Sequence, residues 1–198
     1  MEISAQQVKE LRERTGAGIM DVKRALEESK GDLEKAIDLL RQRGAAKAAK
    51  LAGREAREGL VEAYVHHNGR VGVLVEVNCE TDFVARTEDV RALARELALQ
   101  IASRDPVAVS PEEVPPEIVA RERAIYEAQA REEGKPEPVI PKIVEGKLRK
   151  FFQENTLLEQ PYIRDPERTV RQLVEEVQAK VGERIVVRRF ARFEVGAA

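Results

Sequence analysis

The chain has 198 residues, enough for one good core or two small ones, and its 34 basic and 36 acidic residues leave a formal net charge of -2. That balance gives no excess of positive charge to draw it to nucleic acid, and no apolar run reaches membrane-spanning length. A single cysteine excludes an internal disulfide and fits a reducing cytoplasmic setting, while the charged, helix-patterned N-terminus is unlike a signal peptide.

Trp is absent and aromatic residues are only 4%, so the core must be built from Val, Leu, Ile and Ala. Ser4 with Gln7 three residues on reads as a capping box, Val8 and Leu11 mark the apolar face, and Gly16 and Gly18 stop the first helix. A second helix carries Ile19, Val22 and Leu26 on one stripe and ends at Gly31. Asp32 caps a third, faced by Leu33, Ala36, Ile37 and Leu40 and stopped at Gly44. Residues 1–44 thus form a three-helix module. Residues 45–58 have good helix formers but a poor apolar face, and read as a partly helical linker made basic by Lys47, Lys50, Arg54 and Arg57.

From Gly59 the apolar period changes to two. Strands over 60–67 and 70–78 flank Asn68-Gly69, a type I′ hairpin signal, and Val71, Val73, Val75 and Val77 share one face. A helix follows, bearing Val90, Leu93, Ala94, Leu97 and Ile101. Most of the prolines fall between Pro106 and Pro141, bracketing a helix near 116–133 in a helical excursion. VIPKIVEGKLRKFF continues as a helix with Ile143, Val144, Leu148, Phe151 and Phe152 spaced one turn apart. Asp165 and Pro166 open a last helix lined by Val170, Leu173, Val174 and Val177, and 185–195 closes the chain as a strand. The expected class is α+β: the helical module, the linker, and a core domain over 59–198 with a small antiparallel sheet and helices on one side.

Catalytic and metal-binding patterns are sparse. No Gly-rich phosphate loop is present, so the chain is not expected to bind nucleotide directly, and no cofactor is called for. His66 and His67, adjacent on a strand, should point to opposite faces and so not share a metal. Cys79 ends a Val-rich strand and reads as a buried, inert thiol. The unusual stretch is NCETDFVAR (78–86), where a bulky Phe83 sits in a polar turn between strand and helix. Arg86-Thr87-Glu88-Asp89 looks like a fresh helix start, which removes Phe83 from the stripe of the helix that follows. From the residues alone, core packing and outward exposure of Phe83 both stay open.

LRERTGAGIMDVKRAL (11–26) resembles the N-terminal signature of elongation factor Ts, and EVNCETDFVAR (76–86) resembles that family's second signature. KIVEGKLRKFFQENTLLEQPYIRDPERTV (142–170) and the closing RFEVG (192–196) are similar to its later stretches, so the resemblance runs from first helix to last strand. It implies a non-enzymatic guanine-nucleotide exchange factor for the GTPase elongation factor Tu. It also implies that Thr81, Asp82, Phe83 and Val84 form a wedge, with Asp82 and Phe83 entering near the partner's magnesium and phosphate site. The N-terminal module would dock on the GTPase domain through Leu11, Arg12, Thr15, Gly16, Gly18, Ile19, Met20 and Lys23. Longer family members carry two related core halves, whereas this chain has room for one. Three strands leave two open edges, and a second copy of the chain is the expected cover, making a homodimer. Two rival readings are a general interaction module resembling ubiquitin-associated domains over 4–43, and an RNA- or ribosome-binding protein using the basic linker with Arg188, Arg189 and Arg192.

Overall fold

A computed structural model of the chain describes residues 3–197. Its backbone divides into two compact units. The first comprises the chain up to Leu60, then Asn78–Leu93 and Gln172–Val186; the second comprises Val61–Val77, Ala94–Arg171 and the chain from Val187 onward.

In the first unit, helices α1 (Ala5–Thr15), α2 (Ile19–Glu28) and α3 (Leu33–Leu51) follow one another. The Ser4–Gln7 capping box is formed, and Asp32 Oδ1 accepts from Lys35 N at 3.1 Å to cap α3. That bond, joined by the Lys35 side chain, holds the Asp32 carboxyl below its ordinary range. Each such cap satisfies a first-turn amide that the helix itself leaves without a partner. Gly16, at φ 64°, ends α1 in the left-handed conformation that glycine adopts without steric cost. Leu11, Val22, Ala25, Leu26, Ala36 and Ile37 form the buried core of the three helices. Ile19 does not join that stripe; it is exposed.

Gly44 does not stop α3, which runs on to Leu51. A mid-helix glycine costs only about 1 kcal/mol relative to alanine. Here that cost is offset by the Ala- and Lys-rich turns that follow and by the burial of Ala48 and Leu51. Gln178 Nε2 also donates to Ala48 O at 3.2 Å. The first half of the expected linker is therefore helix. Three of its four basic residues have acidic partners: Lys47 with Asp21 at 2.9 Å, Arg54 with Glu80 at 3.4 Å and Arg57 with Glu55 at 2.5 Å.

The sheet has strands β1 (Glu58–Val65), β2 (Val71–Cys79) and β5 (Val186–Glu194) in the order β1-β2-β5. The architecture is α+β. The β1–β2 turn is wider than a type I′ turn, because only Gly69 has positive φ (67°) while Gly69 N donates to His66 O at 2.8 Å. Asn68 Oδ1 accepts from Arg70 N at 3.0 Å, the local side-chain bond of an Asx-type turn. Because β1 ends at Val65, strand alternation does not govern His66 and His67. Their rings lie 4.1 Å apart by centroid rather than on opposite faces. No group of three or more His, Cys, Asp or Glu side chains among the described residues is placed to hold a metal.

Between β2 and the rest of the chain come a one-turn helix α4 (Asp82–Ala85) and helix α5 (Glu88–Arg104). The expected α5 stripe, Val90, Leu93, Ala94, Leu97 and Ile101, is buried throughout. In the second unit, α6 (Pro116–Glu132) and α7 (Ile140–Asn155) form a helical hairpin around Ala130, Ile140, Val144 and Leu148. A small hairpin, β3 (Pro161–Tyr162) with β4 (Asp165–Thr169), precedes α8 (Val170–Val181). Asp165 was expected to cap that last helix but does not. Its carboxylate pairs with Arg168 at 3.0 Å, and the first amides of α8 are satisfied by backbone: Val170 N by Gln160 O at 3.0 Å and Arg171 N by Leu158 O at 2.9 Å.

Glu96 also lies in this unit. Burial would raise its carboxyl, but the Arg164 guanidinium and the Tyr162 hydroxyl, each 2.6 Å away, hold it below its ordinary range. Burial and the same carboxylate push the Tyr162 phenol up to about 12. No helix among the described residues is long and apolar enough to cross a membrane.

Candidate functional site

The site is built where β2 ends. Val73, Val75, Val77 and Cys79 alternate into the protein, and the Cys79 thiol donates to Thr81 O at 3.1 Å. Burial, and then the nearby Glu183 carboxylate, push that thiol above its ordinary pKa, so it stays protonated and acts as a structural donor. Thr81 has extended backbone (φ -128°, ψ 153°) and is the N-cap of α4, its hydroxyl accepting from Val84 N at 3.4 Å.

Four residues cannot sustain a helix by themselves, because the nucleation cost is repaid by too few hydrogen bonds. Both ends of α4 are therefore tied down. At the far end, Ala85 is buried, and Thr87 Oγ1 donates to Val84 O at 2.7 Å. Thr87 also supplies its backbone carbonyl to Arg91 N at 3.1 Å, starting α5 afresh at Glu88. At the near end, Glu183 accepts from Thr81 N at 3.0 Å and from the Thr81 hydroxyl at 2.7 Å. Glu80 in turn accepts from Arg184 N at 2.7 Å, and the Arg184 guanidinium donates to Arg54 O.

This braced turn holds Phe83 outward, with 81% of its surface exposed. Asp82 is half-buried beside it and pairs with Arg86, one turn on, at 2.9 Å. Val84 is half-buried. The turn thus presents an aromatic ring and an acid on a fixed backbone.

The docking residues expected in the helical module separate into two sets. Leu11 is fully buried, so it supports the module from within and offers no contact surface. Thr15 is half-buried with its hydroxyl donating to Leu11 O at 2.7 Å, and Gly16 is the left-handed cap; both shape the loop. Gly18, the N-cap of α2, is exposed, as are Arg12, Ile19, Met20 and Lys23. Met20 is 73% exposed, unusual for a large apolar side chain. Glu80, Glu183 and Arg184 had no local signal in the sequence, since their partners lie about a hundred positions away.

A family model described as elongation factor TS matches residues 4–197. A relative named Elongation factor Ts from Caldanaerobacter subterraneus subsp. tengcongensis is 64% identical over 194 residues, spanning 98% of this chain and 97% of the relative. Relatives of the same name from Syntrophobacter fumaroxidans (55% over 197 residues, 100% of this chain and 98% of the relative) and Moorella thermoacetica (61% over 194 residues, 98% and 96%) are similar over as much. With matches running from the first helix to the last strand, the chain belongs to the elongation factor Ts family of translation elongation factors.

Proposed function

We propose that this protein binds the GTPase elongation factor Tu in its GDP form and speeds GDP release through a nucleotide-free complex, so that GTP can rebind. Asp82 and Phe83 enter near the partner's magnesium and phosphate site. The exposed face of the helical module (Arg12, Gly18, Ile19, Met20 and Lys23) docks on the GTPase domain. The observation that carries this reading is the exposure of Phe83 on a turn braced at both ends. Entry of that ring into a partner's pocket would take its apolar surface out of water, which favours binding.

Linkage sets the thermodynamics: if the protein weakens GDP binding by some factor, GDP weakens the protein's own binding by the same factor. No covalent step is required, so the protein acts as an exchange factor and not an enzyme, and it works in the cytoplasm without binding nucleotide itself. An RNA-binding reading has less support. Of the basic residues it would use, Lys47, Arg54, Arg57, Arg189 and Arg192 are engaged by carboxylates, which among the described residues leaves only Lys50 and Arg188 outside such pairs.

The functional form we propose is a homodimer, and the surface that supports it is a face of the sheet rather than its edges. Val61 and Val65 of β1, Leu74 of β2, and Phe193 and Val195 at the end of β5 are all exposed, while the other side of β2 is buried. On β1 the outward residues Val61, Ala63 and Val65 are all apolar, while the half-buried ones are Leu60, Glu62 and Tyr64, so the solvent side lacks the polar residues of an ordinary solvated strand. A second copy related by a two-fold axis would cover this face with an identical apolar face. Cys79 is fully buried, which argues against a disulfide to that copy. Release of fluorescent GDP from elongation factor Tu, measured with the wild-type protein and with Phe83→Ala, tests the exchange reading.

A further inference from the structure

We infer that Glu183 is a positioning residue for the Asp82-Phe83 turn, acting from a distant part of the chain to hold the wedge in its working orientation. This rests on the exchange reading above for its functional consequence, though not for its structural one.

Phe83 is 81% exposed, so no packing of its own side chain fixes where the ring points. Its direction is set by the backbone of α4, a helix of four residues. The amide that begins this turn and the hydroxyl that caps it both belong to Thr81, and both donate to one carboxylate: Thr81 N to Glu183 Oε2 at 3.0 Å, and Thr81 Oγ1 to Glu183 Oε1 at 2.7 Å. Hydrogen bonds to a charged acceptor are the stronger kind, and two to one carboxylate fix direction as well as distance.

The hold is reciprocal. Glu80 Oε1 accepts from Arg184 N at 2.7 Å, so each glutamate grips the backbone amide of the residue that follows the other. Gly182 makes this possible. At φ 75° it turns the chain sharply at the end of α8, its amide donating to Gln178 O at 2.9 Å, and delivers Glu183 directly after the turn. These bonds stabilise the turn, and because the ring at its tip is left in solvent, they also set where that ring points. They remove the conformational freedom that a partner would otherwise have to freeze on binding.

The protein lacks Trp, so Phe83→Trp places a single indole at the tip of the wedge. Time-resolved anisotropy of that indole reads local motion without any partner. Adding Glu183→Ala is expected to increase the amplitude of nanosecond depolarisation, and Glu183→Gln, which keeps an acceptor for Thr81 N, to restore most of the loss. In exchange assays on the otherwise wild-type chain, Glu183→Ala should lower the maximal rate of GDP release about tenfold, the loss of charge-assisted hydrogen bonds. The half-saturating concentration should change less than about twofold, because the helical module still docks.

If Glu183→Ala does not fold, Thr81→Val, which removes the hydroxyl arm alone, should shift both readouts in the same direction by less. Unchanged anisotropy and maximal rate in a folded Glu183→Ala protein, or in Thr81→Val where that variant stands in, would overturn the inference. If Phe83→Ala exchanges as fast as wild type, the wedge reading fails, and the anisotropy alone then decides whether Glu183 positions the turn.

Discussion

Glu183 and Thr81 lie 102 positions apart, yet one carboxylate takes both the amide (3.0 Å) and the hydroxyl (2.7 Å) of the threonine. The residue that caps the exposed turn is thereby tied to the loop between α8 and β5. The aromatic ring two residues on is presented by a long-range structure rather than by its local sequence. Preorganisation of this kind lets a small apolar contact act with little entropic loss on binding.

Among the described residues of the helical module, Met20 in the first turn of α2 is the most exposed large apolar side chain. Met20→Glu should weaken the complex with elongation factor Tu about tenfold or more, as loss of an interface anchor does. Its effect on folding should stay within about 0.5 kcal/mol, since the side chain packs against little. Titration calorimetry and a thermal melt on the same sample check both halves. A large drop in melting temperature with unchanged affinity would place Met20 in the fold instead of the interface.

Glu96 makes the stability of the protein sensitive to acid. Although burial opposes it, Arg164 and Tyr162 depress its carboxyl in the folded state. A depressed folded pKa contributes stability that is fully present above the unfolded value and is lost as pH falls through the folded one. Glu96→Gln should therefore cost roughly 1.5–3 kcal/mol at neutral pH. The difference from wild type should shrink as pH drops below the ordinary carboxylate range. Urea unfolding across that range measures it; a constant difference at every pH would show that Glu96 acts through packing rather than charge.

The apolar sheet face should hold two copies together. Phe193, 70% exposed, is its largest side chain. Phe193→Glu would set like charges on the facing sheets, and sedimentation equilibrium should then give a single species at 22.2 kDa. The wild-type protein should give twice that mass. A wild-type monomer at every concentration would remove the dimer from the account.

Local signals made much of the fold legible. Ser4 and Asp32 are caps that their neighbours announce, and the Val90-to-Ile101 stripe has helical period, so both could be read residue by residue. The break at Thr87 was legible for the same reason, and with it the displacement of Phe83 from the α5 stripe. What the pattern misread was decided by tertiary partners. Gly44 lies inside α3, which runs on to bury Ala48 and Leu51, and Asp165 lies in β4, paired with β3, while Gln160 O and Leu158 O take the amides that open α8. The Glu80–Arg184 and Glu183–Thr81 bonds could not be read at all, because nothing in either segment names the other.

In the proposed mechanism the exposed ring at position 83 drives nucleotide release. Stopped-flow release of fluorescent GDP from elongation factor Tu, over a range of exchange-factor concentrations, tests it most directly. Phe83→Ala should fold with a melting temperature close to wild type, since the ring is 81% exposed. Its maximal release rate should fall roughly tenfold to a hundredfold, the loss of an anchor contributing a few kcal/mol. A folded Phe83→Ala protein that releases GDP at the wild-type rate, or one whose melting temperature drops markedly while exchange per folded molecule is unchanged, would contradict the claim.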